Sequence, residues 1–479
     1  MLSQKIVKRV FILLIIIYSN IFICQSQSYD EIFKTFLSRS ELRNAQIGLY
    51  IEDLKNNKLV YQYNENTSMI PASIFKIFST SLALDLFGND HKFKTELSYS
   101  GKIDSEGTLN GNLYLVGYGD PCFGSHNFPD YYEKDILQYL IEEVIKLGIK
   151  NISGNIISDI SYFGAIDIPD RWTLKDVGNY YGSHGSTLNF KDNTYYVHFS
   201  TGSYEGSDTK ITYTIPTDLG IDLQNFVKSS SNTSDEAYIH YGSHSSERII
   251  KGTLPLNKRD FVIRGAIPDP AFYVAKALKN NLLKNNIKVT GQEVIISKYD
   301  NKMKKVITTV YSPELQKIIE YTNRHSSNLY AQVLSYHIAK KTGKTYSAAV
   351  IDFLKRNNIS TDGLYVDDAC GLSRFNLVTA KQMVQYLKFL KTKNYSDPDN
   401  FLNSLPIAGT NGTLRNLFVG DKIKVIAKSG SMFKIACYAG YIIDNQNNEF
   451  AFCFMVNGFS GSYYQVFKDY QELFKQFGK

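Results

Sequence analysis

Cysteine is scarce in this chain. There are five in 479 residues, with no C-x-x-C spacing among them, and that excludes a disulfide framework. The eight histidines lack ligand spacing as well, so neither a metal site nor a cofactor is expected. Runs of lysine and arginine are also missing. The net charge of +7 is spread along the chain and no nucleic-acid module is present. The basic surplus therefore reads as a solvated surface, and nucleic acid is not an expected partner. Long apolar runs are limited to one, Val10 to Ile23, interrupted by Tyr18-Ser19-Asn20. It falls short of the roughly 20 residues that a membrane-spanning helix needs.

That run has the makings of an export signal. Lys5, Lys8 and Arg9 precede it and the small residues Ser26 and Ser28 follow, so residues 1–28 are read as a removed signal peptide and the protein as periplasmic or exported. Bulky Ile23 stands where lipid attachment at Cys24 would want a small residue, which argues against a lipoprotein. The remaining cysteines are Cys122, Cys370, Cys437 and Cys453. The last two lie on apolar strands joined by the turn Asp444-Asn445-Gln446-Asn447, near enough to face each other, and are read as buried free thiols. The length suffices for two or three domains with real cores.

The stretch around which the rest is organised is Pro71-Ala72-Ser73-Ile74-Phe75-Lys76. It opens a helix predicted to run to Phe87, with Pro71 tolerated at the start and Gly88-Asn89 as a stop. Ile74 to Phe87 is apolar nearly all round, so the helix should be buried. Ser73 and Lys76 stand one turn apart on one face. A hydroxyl at the positive end of a buried helix beside an amine is an activated nucleophile in outline. Desolvation disfavours the ammonium and pushes Lys76 toward the neutral form that accepts a proton.

Ahead of this helix the sequence predicts a helix from Tyr29 to Arg43 and strands Ala45–Asp53 and Lys58–Asn64. From Phe93 to Lys304 short strand-like stretches alternate with Gly, Asn and Asp turns, interrupted by one helix at Lys134–Leu147. Helices return after Ser312: two within Leu315–Ala339, broken around Thr322–Ser326, then Tyr346–Asn357 and Thr379–Thr392. Strands Lys424–Ser429, Ala436–Ile443 and Glu449–Val456 close the chain with an amphipathic helix. Val466, Tyr470, Leu473, Phe474 and Phe477 share one face of that helix, which is read as packing on the sheet, with at most peripheral membrane association.

Three triplets fall in order along these elements. Ser73-x-x-Lys76 starts a helix, Ser326-Ser327-Asn328 lies at a break between helices, and Lys428-Ser429-Gly430 ends a strand. Other matches exist at Ser125-His126-Asn127, Ser230-Ser231-Asn232, Lys341-Thr342-Gly343 and Ser431-Met432-Phe433-Lys434, but the first two sit in turn-rich segments and the third follows a helix. The chemistry asks for such groups. Lys76 is the nearest base for Ser73, Ser326 is a second hydroxyl able to relay a proton to a leaving amine, and Asn328 suits a substrate amide or the lysine itself. Lys428 and Ser429 offer a cation and a hydroxyl to a terminal carboxylate. The backbone N–H groups of Ser73 and Ser431 would meet an oxyanion.

This set resembles the S-x-x-K, S-x-N, K-[ST]-G motifs of penicillin-binding proteins and serine β-lactamases. The chain is more specifically similar to the class C low-molecular-mass penicillin-binding proteins, the D-alanyl-D-alanine carboxypeptidase/endopeptidase family of serine DD-peptidases. Matching stretches include Gly117-Tyr118-Gly119-Asp120-Pro121, Trp172 with Asp176 and Tyr180-Tyr181-Gly182, Cys370-Gly371-Leu372-Ser373-Arg374, and Gly412-Thr413-Leu414. The resemblance implies an α+β fold. It would comprise a transpeptidase-like domain, an antiparallel sheet flanked by helices from 29–92 and 305–479, interrupted by a β-rich insertion of one or two subdomains at 93–304. It implies peptidoglycan peptides as substrate and β-lactam antibiotics as covalent inhibitors at Ser73. It also implies substrate contacts from Ser429, Gly430, Ser431 and Asp176. Serine at 327 departs from the family's usual aspartate, serine at 429 from the commoner threonine, Cys370 from a usual serine, and Cys122 from a small polar residue. The alternatives are a serine β-lactamase, against which the large insertion and the lack of a deacylating glutamate motif argue, and a non-catalytic peptidoglycan-binding relative, which has no use for all five of Ser73, Lys76, Ser326, Asn328 and Lys428. Carboxypeptidase against endopeptidase preference and oligomeric state stay open.

Overall fold

The computed structural model describes residues 30–131, 135–241, 246–298, 303–393, 400–417 and 422–478. The signal segment 1–28 and Cys24 lie outside the described residues. The fold is α+β, and the chain divides into two compact units.

The first unit comprises the chain up to Phe75, Ile351–Val366 and Phe375–Lys479. Its centre is an antiparallel sheet in the order Lys424–Met432, Ile435–Ile443, Glu449–Asn457, Gln46–Asp53 and Lys58–Tyr63. Alternation along Gln46–Asp53 shows why these strands read as nearly continuous apolar runs. Ile47, Leu49 and Ile51 enter a core with Phe452, Phe454 and the closing helix Tyr463–Lys475. Gly48, pointing the other way, lies against Met69 and Ala380, so both faces are covered. The predicted face of the closing helix, Val466, Tyr470, Leu473, Phe474 and Phe477, is buried in that core. Each such side chain contributes about 2 kcal/mol by leaving water. The N-terminal helix is shorter than the expected Tyr29–Arg43. It spans 30–37 and gives way to a 3-10 turn at Ser40–Leu42.

Cys437 and Cys453 lie on adjacent strands but pair with Met455 and Ala439 respectively, out of register with each other. Both are buried and free, as are Cys122 and Cys370.

The second unit comprises Lys76–Val350 and Asp367–Arg374. Helices Lys76–Phe87, Leu315–His325 and Asn328–Thr342 pack together. Around them lie four sheets among the described residues. The largest runs Glu293–Ile296, Ile156–Asp159, Leu113–Gly117, Lys94–Tyr99 and Lys305–Tyr311, its first three strands parallel and the rest antiparallel. Two helices, Ile136–Lys146 and Pro270–Lys284, share its apolar core. The second of these was not expected from the sequence. Its signals were present: Asp269 caps the first turn by accepting from the Phe272 N–H at 2.9 Å, and Pro270 stands at the first helical position. Two three-stranded sheets, one holding Thr194–Ser200 and the other Glu247–Pro255, complete the unit with a short four-stranded one.

Candidate active site

Lys76 heads its helix and is entirely buried. Its ammonium donates to Asn328 Oδ1 at 2.5 Å and to the Cys370 carbonyl at 2.6 Å. Burial lowers its pKa from the ordinary 10.5 to about 8, with the Cys370 thiol and the Asp368 carboxylate acting in the opposite direction. A buried lysine close to losing its proton near neutral pH has the protonation behaviour of a general base.

Three residues earlier, half-buried Ser73 occupies the 3-10 turn Ala72–Phe75 that runs directly into the lysine's helix. Ala72 adopts a left-handed φ of 47°, a conformation that costs a side-chain-bearing residue about 1 kcal/mol. Ser326, half-buried, is similarly left-handed (φ 59°) and ends the helix Leu315–His325. Both hydroxyl-bearing turns are thus built on backbone that the surrounding fold must hold in place.

Ser327 caps the next helix, its side chain accepting from the Tyr330 N–H at 3.3 Å. Serine and aspartate are comparable helix caps, which explains why the departure at 327 is tolerated. Asn328 accepts from the lysine through its Oδ1. Its Nδ2 donates to the Tyr181 carbonyl at 2.7 Å. The Asp176 carboxylate, which accepts from Thr173 Oγ1 at 2.7 Å, lies within electrostatic reach of the Tyr181 hydroxyl, and burial together with that carboxylate raises the hydroxyl's pKa.

Asp368 went unnoticed in the sequence. It is buried and accepts from the N–H groups of Cys370, Gly371 and Ser373 at 3.1, 2.6 and 2.7 Å, and from the Trp172 indole at 2.9 Å. These bonds shape the loop that aims the Cys370 carbonyl at Lys76. The backbone of residue 370, rather than its side chain, makes that contact, so cysteine there serves as well as serine. Burial and nearby Asp368 push the Cys370 thiol well above its usual range. The pair Asp367-Asp368 just ahead of Cys370-Gly371 was the available signal.

The remaining candidates lie on the strand Lys424–Met432 of the first unit. Lys428 is buried and donates to the Ser429 carbonyl at 2.8 Å, while Ser429 Oγ donates to Thr413 Oγ1 at 2.7 Å. Gly430 lies against the Ser73 turn. A Cβ there would stand 2.6 Å from the Pro71 carbonyl oxygen and 2.9 Å from the Ser73 nitrogen, so only glycine allows this approach. Ser431 is exposed.

The other motif matches are structural. Ser125 donates to Asp192 at 2.9 Å, Asn232 N–H donates to Ser230 Oγ at 3.2 Å, Gly343 is a left-handed helix cap, and Lys434 donates to the Gly461 carbonyl. Among the described residues no group of three or more His, Cys, Asp or Glu is placed to hold a metal ion. No described helix is long and apolar enough to cross a membrane.

D-alanyl-D-alanine carboxypeptidase DacB of Haemophilus influenzae is 26% identical over 427 residues, covering 87% of this chain and 86% of the relative. A D-alanyl-D-alanine carboxypeptidase of an Actinomadura species is 26% identical over 452 residues, covering 90% and 81%. Among solved structures, penicillin binding protein 4 of Haemophilus influenzae superposes with a TM-score of 0.75 at 25% identity, covering 90% of this chain and 96% of that one. The profile of the D-Ala-D-Ala carboxypeptidase 3 (S13) family matches residues 30–474, and the chain belongs to that family.

Proposed function

We propose that the protein is an exported serine DD-peptidase that cuts peptidoglycan stem peptides through an acyl-enzyme on Ser73, with β-lactams acylating the same serine. The observation that carries this is Lys76: wholly buried, held by Asn328 and the Cys370 carbonyl, with a pKa lowered to about 8. A surface lysine has none of these properties, and a binding module has no use for a base so placed.

In this reading Lys76 in its neutral form takes the Ser73 proton as Oγ attacks the carbonyl before the terminal D-alanine. The backbone N–H groups of Ser73 and Ser431 receive the oxyanion. Ser326 relays that proton from Lys76 to the departing amine as the C–N bond breaks, which leaves Lys76 neutral; water then attacks the acyl carbon, Lys76 takes its proton, and that proton returns to Ser73 Oγ as the ester bond breaks and the peptide leaves. Lys428 and Ser429 serve the terminal carboxylate, Gly430 lines its approach, and Asp176 serves the substrate's side. Residues 93–304 form the insertion, and export places the enzyme beside its polymer.

Intact-mass measurement after incubation with benzylpenicillin tests the reading. The expected result is one stable adduct, absent from Ser73→Ala. Fast turnover to penicilloate without an adduct favours a β-lactamase, and neither adduct nor turnover refutes the enzyme.

A further inference from the structure

The second unit contains a cavity of about 630 Å³ that takes no part in the chemistry above. That is within the size range of small-molecule sites. Its walls are largely apolar, Ile221, Ile267 and Phe272 among them, and its polar lining side chains include Asp167, Asp269 and His184. The two aspartates are exposed at the rim. His184 is only 9% exposed, and its ring has no hydrogen-bond partner among the described residues. Burial lowers its pKa while Asp269 and Asp167 oppose that, so the ring is neutral near pH 7 and both carboxylates are within electrostatic reach of it. One Asp269 oxygen accepts from the Phe272 N–H at 2.9 Å and the other is uncommitted. Lys276 also lines the cavity, its ammonium donating to the Asp218 carbonyl at 2.7 Å.

The His184 imidazole thus lines the cavity with hydrogen-bonding capacity that no described residue uses. Two carboxylates against one ammonium leave the wall negative. We infer that this cavity is a ligand site for an organic ammonium on an apolar body, such as the free amino group of a short peptide, with Asp167 and Asp269 meeting the cation and His184 accepting a hydrogen bond. Nothing in this assignment depends on the reaction at Ser73.

The site carries its own reporter. Two of its lining residues, Ile168 and Tyr241, pack against the small apolar cluster that contains Trp172, the single tryptophan of the chain. Occupancy should change the fluorescence of that indole. Full-length mature protein is titrated with 2-phenylethylammonium, with uncharged 2-phenylethanol, and with Leu-Phe amide as the peptide form. A saturable signal with both amines, at least about tenfold weaker for the alcohol, is expected. Asp167→Asn and Asp269→Ser should each weaken amine binding by about tenfold. Serine keeps the helix cap at 269, so loss of binding there reports charge rather than unfolding. Saturation by the simple amine alone would restrict the ligand to non-peptide amines and overturn the peptide assignment. Equal binding of the alcohol, indifference to both substitutions, or no saturable change in fluorescence or calorimetric heat overturns the site.

Discussion

The burial of Lys76 makes a quantitative prediction. Its folded pKa of about 8 lies below the ordinary 10.5. Between those two values the unfolded chain still binds the proton that the folded protein has released. Stability must therefore rise with pH across this window, and a difference of that size is worth at most roughly 3 kcal/mol. Below pH 8 both states carry the proton and the contribution is flat. Other groups titrate in the same range, so the quantity to measure is wild type minus Lys76→Met. Methionine preserves apolar bulk and does not titrate. It leaves the Asn328 and Cys370 acceptors without their donor, a cost that does not vary with pH. Urea unfolding of both proteins from pH 7 to 10.5 should show the wild type gaining roughly 3 kcal/mol on the variant. The same proton governs acylation. About one-tenth of Lys76 is neutral at pH 7 and about half at pH 8, so the rate of benzylpenicillin adduct formation should fall about tenfold for each pH unit below 8. A stability difference that stays flat, together with an acylation rate independent of pH between 6 and 8, would refute the claim that this lysine is poised as a base.

Other outcomes follow from the same geometry. Gly430→Ala brings a methyl into the Pro71 carbonyl and the Ser73 nitrogen. It should cost about 2 kcal/mol in unfolding and slow acylation on the order of tenfold; unchanged kinetics would mean that the strand does not position the serine turn. Asp368→Ala strips a partner from three backbone N–H groups and the Trp172 indole. A loss of about 3 kcal/mol is expected, with a shift in Trp172 emission, and a stable variant with native emission would contradict the role given to this carboxylate. The cysteines Cys122, Cys370, Cys437 and Cys453 are buried and free, so a thiol reagent should label them only after denaturation. Reductant should leave Tm unmoved, whereas a fall of several degrees would reveal a disulfide.

Much of the architecture was legible in the sequence because local signals are strong there. The break between the helices on either side of Ser326 was visible, as were the three closing strands and the buried face of the final helix. Each rests on periodicity or turn chemistry that acts over a few residues. The parallel pairing of Leu113–Gly117 with Ile156–Asp159 was not legible, since parallel neighbours are joined by long crossovers and leave no hairpin signature. The helix Pro270–Lys284 was passed over because the turn-rich texture around it drowned its cap. At the candidate site the residue types in the three triplets were apparent, but apart from Asn328 beside Lys76 their partners were not. Asp368 acts through backbone N–H groups, so the Asp367-Asp368 pair in the sequence did not by itself say what it holds. Tyr181 reaches Asn328 with its carbonyl, a group every residue carries.

The acceptors around Lys76 come from positions 252 and 294 residues further along the chain. Closing so long a loop costs only about 2 kcal/mol more than closing one a tenth as long, so the arrangement is thermodynamically cheap. Its consequence is one of timing. Contacts between such distant segments form late, and Asp368, which shapes the second acceptor, follows nearly the whole of the intervening sequence. Until that sequence is threaded and ordered, Lys76 has no acceptors and keeps the high proton affinity of a solvated amine. Reactivity toward a β-lactam would therefore be acquired at the end of maturation, sparing the cell an active hydrolase on a half-made chain. The same coupling would make covalent labelling a readout of completed folding as well as of catalysis.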